Sequence, residues 1–331
     1  MKRLLPARST LKRYYFQALH ALGHDQKLFE GLKAAHRLVV VNMHEVAPVD
    51  RDFYPPLDPS DFEEMLAFIE PRFRVTTLRE RHEVDPKDPR PRLVLSFDDG
   101  YKSFVEYAVP ILAKFGFRAN QNVIGQALET GLPPWNARLN DFLNAAPARL
   151  VNELRLPGFG LRLSSPRSED RAKFGFALSR FLKLRPSAER APMWARVQEL
   201  VDRGGYVDAT RMMSIEEVKQ AAALHEIGAH SYNHESMAYE SLQFFDEDLS
   251  KCERLFRDVL GLPLDIYAFP NGSYRDDHLD LLRARGVRHV LIVGEKVGSG
   301  IGDVVPRITL SAQSALEARF QVVGLRAQGV L

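Results

Sequence analysis

The chain has 331 residues, of which 45% are hydrophobic and 27% charged, and its formal net charge is +2. This balance is typical of a folded globular protein and excludes a disordered chain. The single cysteine excludes a disulfide framework within the chain. No stretch approaches the roughly eighteen apolar residues of a membrane-spanning helix, and Lys12 and Arg13 precede any apolar run suited to a signal peptide. We therefore expect a cytoplasmic protein.

Residues 1–37 form a basic segment, with eight Lys or Arg against two acidic residues. We predict a helix here, with an apolar side made of Tyr14, Tyr15, Phe16 and Leu19. One interpretation is an ordinary solvated helix. The other is peripheral contact with an anionic membrane at its inner face, where each basic residue contributes on the order of 1 kcal/mol.

Residues 38–331 contain seven short apolar segments that predict strands. They are Leu38 to Met43, Arg92 to Phe97, Phe117 to Ile124, Glu226 to His230, Asp265 to Phe269, Val287 to Val293 and Val304 to Leu310. Helical patterns lie between them, and this alternation is typical of parallel strands with helices packed outside. Seven strands of an α/β chain fit a barrel, complete or incomplete, better than an open sheet.

The helices between the strands have clear start signals. Ser60 and Glu63 form a potential capping box before one helix, and Ser214 and Glu217 repeat the signature before another. A third helix is predicted from Phe245 to Val259 by apolar residues at helical spacing.

Residues from about 125 to 211 interrupt the alternation, because they contain three helical patterns and no convincing strand. The patterns are Asn136 to Val151, Glu169 to Leu184 and Ala188 to Val201. A segment of this length is too long for a structureless loop, so we predict a helical insertion. It has 14 Lys or Arg against 9 Asp or Glu, which fits either an ordinary surface or a lid that favours an anionic substrate.

Two motifs at predicted strand ends carry chemistry. In Ser96-Phe97-Asp98-Asp99-Gly100, an apolar strand is followed directly by two adjacent carboxylates. The motif is either an Asp-Gly turn or a cation site, because two buried neighbouring carboxylates repel each other unless a cation binds there. In His230-Ser231-Tyr232-Asn233-His234, two histidines four apart can face one metal ion. One carboxylate and two imidazoles with open positions for water are typical of a catalytic metal site.

Two further strand ends fall on the same predicted face. The first strand ends at His44, and a histidine near a metal is a natural proton donor. The fifth strand ends in Pro270-Asn271-Gly272, a turn that can point a backbone N–H at a developing oxyanion. Taken singly, a core histidine and a plain turn are the favoured interpretations, whereas features at four strand ends together favour an active site.

These motifs resemble those of the polysaccharide deacetylase family, also called the NodB-homology or family 4 carbohydrate esterases. SFDDG and HSYNH are similar to its first two motifs, and YAFPNG is similar to the FAYP-G form of the third. The resemblance covers roughly residues 38 to 310. It implies a distorted (β/α)7 barrel and the metal-dependent removal of N- or O-acetyl groups from sugars.

The resemblance also implies roles for individual residues. Asp98 matches the general base, and Asp99, His230 and His234 match the ligands of one divalent ion, of which Zn²⁺ is preferred and Co²⁺, Ni²⁺ or Mn²⁺ are alternatives. The backbone of Asn271 matches the oxyanion donor. The Met-His strand end and the segment PSDFEEMLAFIE resemble a subgroup acting on poly-N-acetylglucosamine, in which this histidine, here His44, is the acid.

The chain departs from the family pattern at two points. The late histidine of the family is missing, because His289 lies at the start of its strand, and the arginine that often steadies the base is absent from the third motif. Arg307, on the last strand, is our candidate substitute. Trp135 is expected either to stack on a sugar or to anchor the insertion, and Tyr232 and Pro270 are further candidates for substrate contact.

We therefore expect a carbohydrate deacetylase acting on an acetylated amino sugar, lipid-linked or nucleotide-linked, with no nucleic-acid partner. The alternatives are an amidase of the same barrel acting on a non-sugar substrate and an inactive carbohydrate-binding relative. A phosphatase of the haloacid type would require Asp-x-Asp and leaves the paired histidines unexplained.

Overall fold

Eight parallel strands form the centre of the protein, which we describe from a computed structural model for residues 8–48, 51, 53–165, 167–206, 209–325 and 327. The strands are β1 Leu38–Met43, β2 Arg74–Val75, β3 Arg92–Phe97, β4 Asn120–Val123, β5 Glu226–Ala229, β6 Ile266–Ala268, β7 His289–Val293 and β8 Val304–Thr309. Seven of them coincide with the predicted segments. The short β2 has no apolar run by which the sequence could have revealed it.

Seven strands close into a ring, because β1 pairs with both β3 and β8. The order around the ring is β1, β3, β4, β5, β6, β7 and β8, while β2 pairs with the start of β3 only. The ring is uneven, since β1 pairs with β3 over all six residues, whereas β5 and β6 share only the pair Ala229 and Tyr267. The predicted distorted (β/α)7 barrel is confirmed.

Helices surround the barrel and also build the segment between β4 and β5. In the described part of the chain they are α1 Arg8–Ala21, α2 His24–Ala34, α3 Pro59–Ile69, α4 Val109–Lys114, α5 Gly125–Thr130, α6 Trp135–Ala145, α7 Ala148–Val151, α8 Ser168–Lys183, α9 Ser187–Gly204, α10 Ile215–Ala221, α11 Leu242–Arg254, α12 Asp276–Ala284 and α13 Ala315–Val322. The pattern predicted as one helix from Asn136 to Val151 is two helices, because Pro147 cannot continue α6 and instead precedes α7.

The starts of α3 and α10 show one wrong prediction and one correct prediction. The capping box at Ser60 and Glu63 is wrong: Asp58 is the N-cap of α3, and its carboxylate accepts the N–H of Ser60 at 2.8 Å. A proline directly after Asp58 suits the first helical position and moves the start of α3 forward. The box at Ser214 and Glu217 is confirmed in both directions.

Helices α6 to α9 share an apolar core that is distinct from the core of the barrel. Phe53, from the loop after β1, lies in this second core, where its backbone exchanges two hydrogen bonds of 3.0 Å with the side chain of Asn144. Gly175 in α8 makes room for the Phe53 ring, since a Cβ there would lie 2.9 Å from it. The loop that carries His44 is therefore joined to the helices between β4 and β5.

The N-terminal helix α1 packs on α13 through Phe16, whose ring lies 5.4 Å from that of Phe320. Leu11 and Tyr14 remain about half exposed, at 51% and 55%. One part of the predicted apolar side of α1 thus packs on the protein, and the other part is exposed to solvent. The first seven residues of the basic segment lie outside the described residues, and no helix within the described ranges has the length and hydropathy needed to cross a membrane.

Candidate active site

The predicted site residues lie at the carboxyl ends of the barrel strands. Asp98 and Asp99 follow directly on β3, and His230 follows directly on β5. His234 lies one loop further and is buried with them. Because the carboxyl ends of parallel strands meet at one face of a barrel, these four side chains, far apart in sequence, come together.

Asp98 is held by a buried ion pair. Its two carboxylate oxygens each accept a hydrogen bond of 2.8 Å from the guanidinium of Arg307. The amide of Asn122 donates a further bond of 2.8 Å to Oδ1. Arg307 also donates to Asn42 and Ser96 within the barrel, at 3.0 and 3.1 Å. Polar groups from β1, β3, β4 and β8 thus fix the position of this carboxylate.

These contacts determine the charge of Asp98. Burial alone would raise its pKa, but the positive charge of Arg307, assisted by His230 and His44, outweighs burial and holds the pKa of Asp98 well below its usual range. The carboxylate is therefore ionised at neutral pH, which is the form that can accept a proton.

Asp99 faces the two histidines instead of Arg307. Its Oδ1 lies 3.4 Å from Nε2 of His230 and 3.3 Å from Nε2 of His234. All three side chains are at most 4% exposed. Burial raises the pKa of Asp99, but the interactions with His234, His44 and His230 together lower it by more than burial raises it, so this carboxylate is ionised as well.

The triad of Asp99, His230 and His234 fits a divalent metal ion. Ligand atoms placed about 2.0–2.2 Å from a tetrahedral ion lie about 3.3–3.6 Å from one another, as the two distances to Asp99 do. Nδ1 of His230 lies 2.8 Å from the carbonyl oxygen of Ala268, so donation of its N–H leaves Nε2 free as a ligand. Oδ1 of Asp99 and Nδ1 of His234 are buried without a hydrogen-bond partner among the described residues.

Backbone strain is concentrated at this face. Among the described non-glycine residues, seven have positive φ, and four of these are Asp99, Ser231, His234 and Asn271. Such conformations cost of order 1–3 kcal/mol each and persist where the surrounding structure demands them. At Asp99 the φ is 77°, and its carboxylate faces the two histidines, whereas the carboxylate of Asp98 is bound by Arg307.

Asp248, in α11, holds the loop between the two histidines. Its carboxylate accepts the backbone N–H groups of Tyr232 and Asn233, at 2.8 and 3.3 Å. Burial, stronger than these bonds, raises the pKa of Asp248 to about 7. Asp248 was not among the residues predicted from the sequence, although a lone acidic residue on the apolar side of a helix was a signal for a buried structural role.

A second group that the sequence analysis missed lies beside the triad. Burial, and then the charge of Asp99, raise the pKa of the Tyr101 hydroxyl, and Glu45 pairs with Arg51 at 2.7 Å. Asp141, from α6, is close enough to raise the pKa of Glu45, after the larger effect of burial. The helices between β4 and β5 thus contribute charge to the site. No spacing in the sequence connects Asp141 to the ends of β1 and β3.

His44 and Asn271 lie on the same face as the triad. His44 is exposed after the end of β1, and its charge lowers the pKa of both Asp98 and Asp99. Asn271 follows the buried Pro270, and its side-chain amide donates to the hydroxyl of Ser236 at 3.0 Å. The catalytic roles of these residues stay predictions.

Trp135 and Tyr232 have their contacts within the protein. The Trp135 ring packs against Trp194 and lies under the guanidinium of Arg190, 4.5 Å from the ring centre. The Tyr232 hydroxyl donates to Glu129 at 2.5 Å. For Trp135, these contacts favour the alternative that it anchors the insertion. Contact of either residue with substrate stays a prediction.

The chain resembles known proteins in sequence over part of its length. Residues 194–290 match a family model described as polysaccharide deacetylase. The matched segment contains His230, His234 and the turn at Pro270, whereas Asp98 and Asp99 precede it. No curated protein matches the chain. The predicted resemblance to this family is confirmed by the match.

Solved structures share the fold over most of the chain. A Streptococcus pyogenes deacetylase, PplD, in complex with acetate has a TM-score of 0.55 at 14% identity, over 87% of this chain and 98% of that one. IcaB from Ammonifex degensii has a TM-score of 0.54 at 17% identity, over 87% and 97%. A de-N-acetylase from Aggregatibacter actinomycetemcomitans has a TM-score of 0.51 at 16% identity, over 82% and 94%. At such identities, the likeness shows a common fold.

We predict that replacement of Arg307 by Met destabilises the protein by about 3–5 kcal/mol at pH 7, because it leaves the Asp98 charge buried and unpaired. The pKa of Asp98 is lowered in the folded state, so the stability from this pair is fully present above the unfolded pKa of about 3.9 and is lost as pH falls through the lower folded value. The difference in the free energy of unfolding between the unaltered protein and Arg307→Met should therefore decrease at acid pH.

Urea unfolding at pH 7 and at about pH 3 measures this difference. Arg203→Met is a matched control, because Arg203 pairs with Glu153 at an exposed position, and its loss should cost less than about 1 kcal/mol. A loss of stability for Arg307→Met that is the same at both pH values would contradict the assignment of the effect to an ionised Asp98.

Proposed function

We propose that this protein is a metal-dependent deacetylase that hydrolyses the acetamide of an amino sugar in a glycan or glycan precursor. The observation that carries the proposal is the separation of two neighbouring carboxylates: Asp98 is bound by Arg307, while Asp99 faces His230 and His234. A base and a metal site therefore adjoin at one barrel face. The match to polysaccharide deacetylases supports the same reaction.

The ion would be held by Asp99, His230 and His234, with Zn²⁺ preferred from the ligand types. When bound, a divalent ion supplies the Lewis acidity that lowers the pKa of water and polarises an acyl oxygen. Its identity is part of the proposal, and Co²⁺, Ni²⁺ and Mn²⁺ are alternatives.

Individual residues of the protein carry out the proton transfers and bind the oxyanion. Asp98 accepts a proton from the attacking water, whose oxygen forms a bond to the acetyl carbon. The backbone N–H of Asn271 donates to the oxyanion that develops. His44, exposed at the mouth, gives its proton to the departing nitrogen as the C–N bond breaks, and the products are acetate and a free amine. Arg307 keeps Asp98 ionised and aligned.

For the substrate, we propose a lipid-linked or nucleotide-linked acetamido sugar met in the cytoplasm. The basic segment supports contact with an anionic membrane surface, because Leu11 and Tyr14 of α1 are exposed beside basic residues. The positive excess of the helices between β4 and β5 also fits an anionic substrate.

An amidase acting on a non-sugar substrate and an inactive binding relative are the alternative functions. The complete set of Asp98, Asp99, His230 and His234 in one buried cluster argues against a relative that has lost activity. An amidase would use the same residues, so substrates must distinguish it from a deacetylase.

We predict that Asp98→Asn and Asp99→Asn abolish acetate release for different reasons. Asp98→Asn should retain zinc but lose at least about 10²-fold in turnover, because the proton acceptor is gone. Asp99→Asn should lose both zinc and turnover. The measurement is acetate released from chitooligosaccharides and from nucleotide-linked and lipid-linked N-acetyl sugars, together with metal content by atomic absorption.

Asp246→Asn provides the control, because Asp246 is a carboxylate paired with Arg285 on the outer surface of α11. It should leave zinc content and turnover unchanged. Full turnover by Asp98→Asn would overturn the proposed mechanism. Release of ammonia from non-sugar amides, without release of acetate from any sugar, would favour the amidase.

We also predict that His44→Gln impairs amide substrates far more than p-nitrophenyl acetate. An amine must be protonated as it leaves, whereas p-nitrophenolate leaves without a proton. Turnover of the acetamide should fall by about 10²-fold or more, and turnover of the ester by less than about tenfold. Equal losses on both substrates would contradict a role for His44 as the acid.

A further inference from the structure

A basic cleft lies at the opposite end of the barrel from the proposed catalytic site. It has a volume of about 600 Å³ and is lined by Arg79, Arg81, His82, Asp265, Arg288 and His289, with Gly302 and Asp303 at its edge. Asp265 and Asp303 immediately precede β6 and β8, and His289 begins β7. The cleft therefore belongs to the amino ends of the strands, and no part of the proposed deacetylation mechanism uses it.

Arg81 is the buried charge at the centre of this cleft, with only 1% of its surface exposed. Its guanidinium donates to the carbonyl oxygens of Leu78, at 2.7 Å, and Gly302, at 2.5 Å, and also contacts Nδ1 of His289. Its Nε has no hydrogen-bond partner among the described residues. Buried charges in proteins are normally paired, and this buried guanidinium has no carboxylate hydrogen-bonded to it.

The nearby carboxylates are engaged by other groups. Both oxygens of Asp265 accept bonds from Arg79, at 2.9 and 2.7 Å. Asp303 accepts a bond of 2.5 Å from Arg283, on α12. Glu226 acts on Arg81 only through space, while its own oxygens accept the backbone N–H groups of Leu78 and Arg79. Each of these carboxylates is therefore hydrogen-bonded to another group, and Glu226 and Asp303 act on Arg81 only through space.

A second guanidinium adds to the positive field. Arg92, at the start of β3, is buried and donates to the backbone carbonyl oxygens of Arg81, His36 and Ser299. Burial, and then the charges of Arg81 and Arg92, lower the pKa of His82. Burial followed by Arg81 also lowers the pKa of His289, to about 4. An added proton is disfavoured here, whereas an anion would be stabilised.

A glycine-rich loop borders the cleft. In the loop before β8, Gly300 and Gly302 have φ values of 82° and 92°, and a Cβ on Gly300 would lie 3.0 Å from the guanidinium of Arg92. A Cβ on Gly302 would meet no atom within 4 Å, so open space lies beside its backbone. Backbone that lacks side chains next to arginines is a feature of phosphate sites.

We propose that this cleft binds a phosphate group, which supplies a hydrogen-bonded counter-ion for Arg81. Arg288 and His82, exposed at the rim, meet the outer oxygens of the ligand, while Arg81 lies at its base. Arginine suits this task because its planar fork of donors matches the oxygens of phosphate. The proposal concerns a second site and does not depend on the deacetylase activity.

The ordinary alternative is a set of structural ion pairs that closes the barrel. That interpretation accounts for Arg79 with Asp265 and for Arg283 with Asp303. It does not account for Arg81, whose bonds to protein oxygen go to carbonyls. Titration with an anion distinguishes the two interpretations, because a complete structural network gains nothing from an added ligand.

The test is isothermal titration of the full chain with inorganic pyrophosphate, combined with thermal unfolding. Pyrophosphate should bind and raise the unfolding temperature. Arg288→Gln should weaken binding at least tenfold without loss of fold, because Arg288 is exposed. Arg81→Met should abolish binding; if this variant fails to fold, Arg288→Gln still decides the outcome.

Arg257→Gln is the matched control, because Arg257 is an exposed arginine paired with Asp258 away from the cleft. It should bind pyrophosphate as the unaltered protein does. Absence of binding, or binding that is unchanged in Arg288→Gln, would overturn the proposal. Binding of pyrophosphate at the metal triad instead of the cleft would also be unaffected by Arg288→Gln, and would therefore also overturn the proposal.

The phosphate can belong to a soluble molecule or to a lipid headgroup. Co-sedimentation with phosphatidylcholine vesicles, with and without phosphatidic acid, distinguishes these sources. A headgroup ligand predicts binding only to the phosphatidic acid vesicles, with a loss in Arg288→Gln. Vesicle binding that this substitution leaves unchanged would overturn the lipid source.

Discussion

Arg307, from β8, donates two hydrogen bonds to Asp98 across the interior of the barrel, and this ion pair is the constraint that organises the proposed catalytic face. The pair allows the Asp98 carboxylate to remain charged although it is buried away from bulk solvent. An isolated buried carboxylate would instead take up a proton. Asn122 and Ser96 complete the polar environment beneath it. With Asp98 held in this way, the neighbouring Asp99 adopts positive φ and faces the two histidines. Two carboxylates that would otherwise repel each other thereby have different partners and different proposed roles.

The helices between β4 and β5 are tied to this face by charged contacts. Arg190 of α9 donates to the buried Glu235, next to His234, at 2.5 Å. Asp141 of α6 receives both the N–H and the hydroxyl of Thr210 and acts electrostatically on Glu45. These helices therefore border the mouth of the proposed site, where they can restrict which sugar enters. A second apolar core packs these helices against one another.

Much of the barrel could be predicted from the sequence, because strands buried on both faces are apolar throughout and are separated by helical patterns. The four residues Asp98, Asp99, His230 and His234 could also be located, since each lies near the end of a recognisable strand. The contact between Arg307 and Asp98 was harder to predict, because it depends on which strands lie next to each other when the ring closes. Asp141 and Tyr101 could not be found in this way, because no local periodicity reports contacts across loops. The polar residues Asn42, Ser96 and Asn122, within buried strands, were a sequence signal of the network under Asp98.

We predict that the triad of Asp99, His230 and His234 binds a catalytic metal ion. The most direct measurement is a zinc titration of chelator-treated protein that follows bound zinc and acetate release together. Both quantities should rise in parallel and saturate at about one ion per chain, as expected for three ligands around one ion. Deacetylation that continues in the metal-free protein, or zinc that binds without restoring acetate release, would contradict the account.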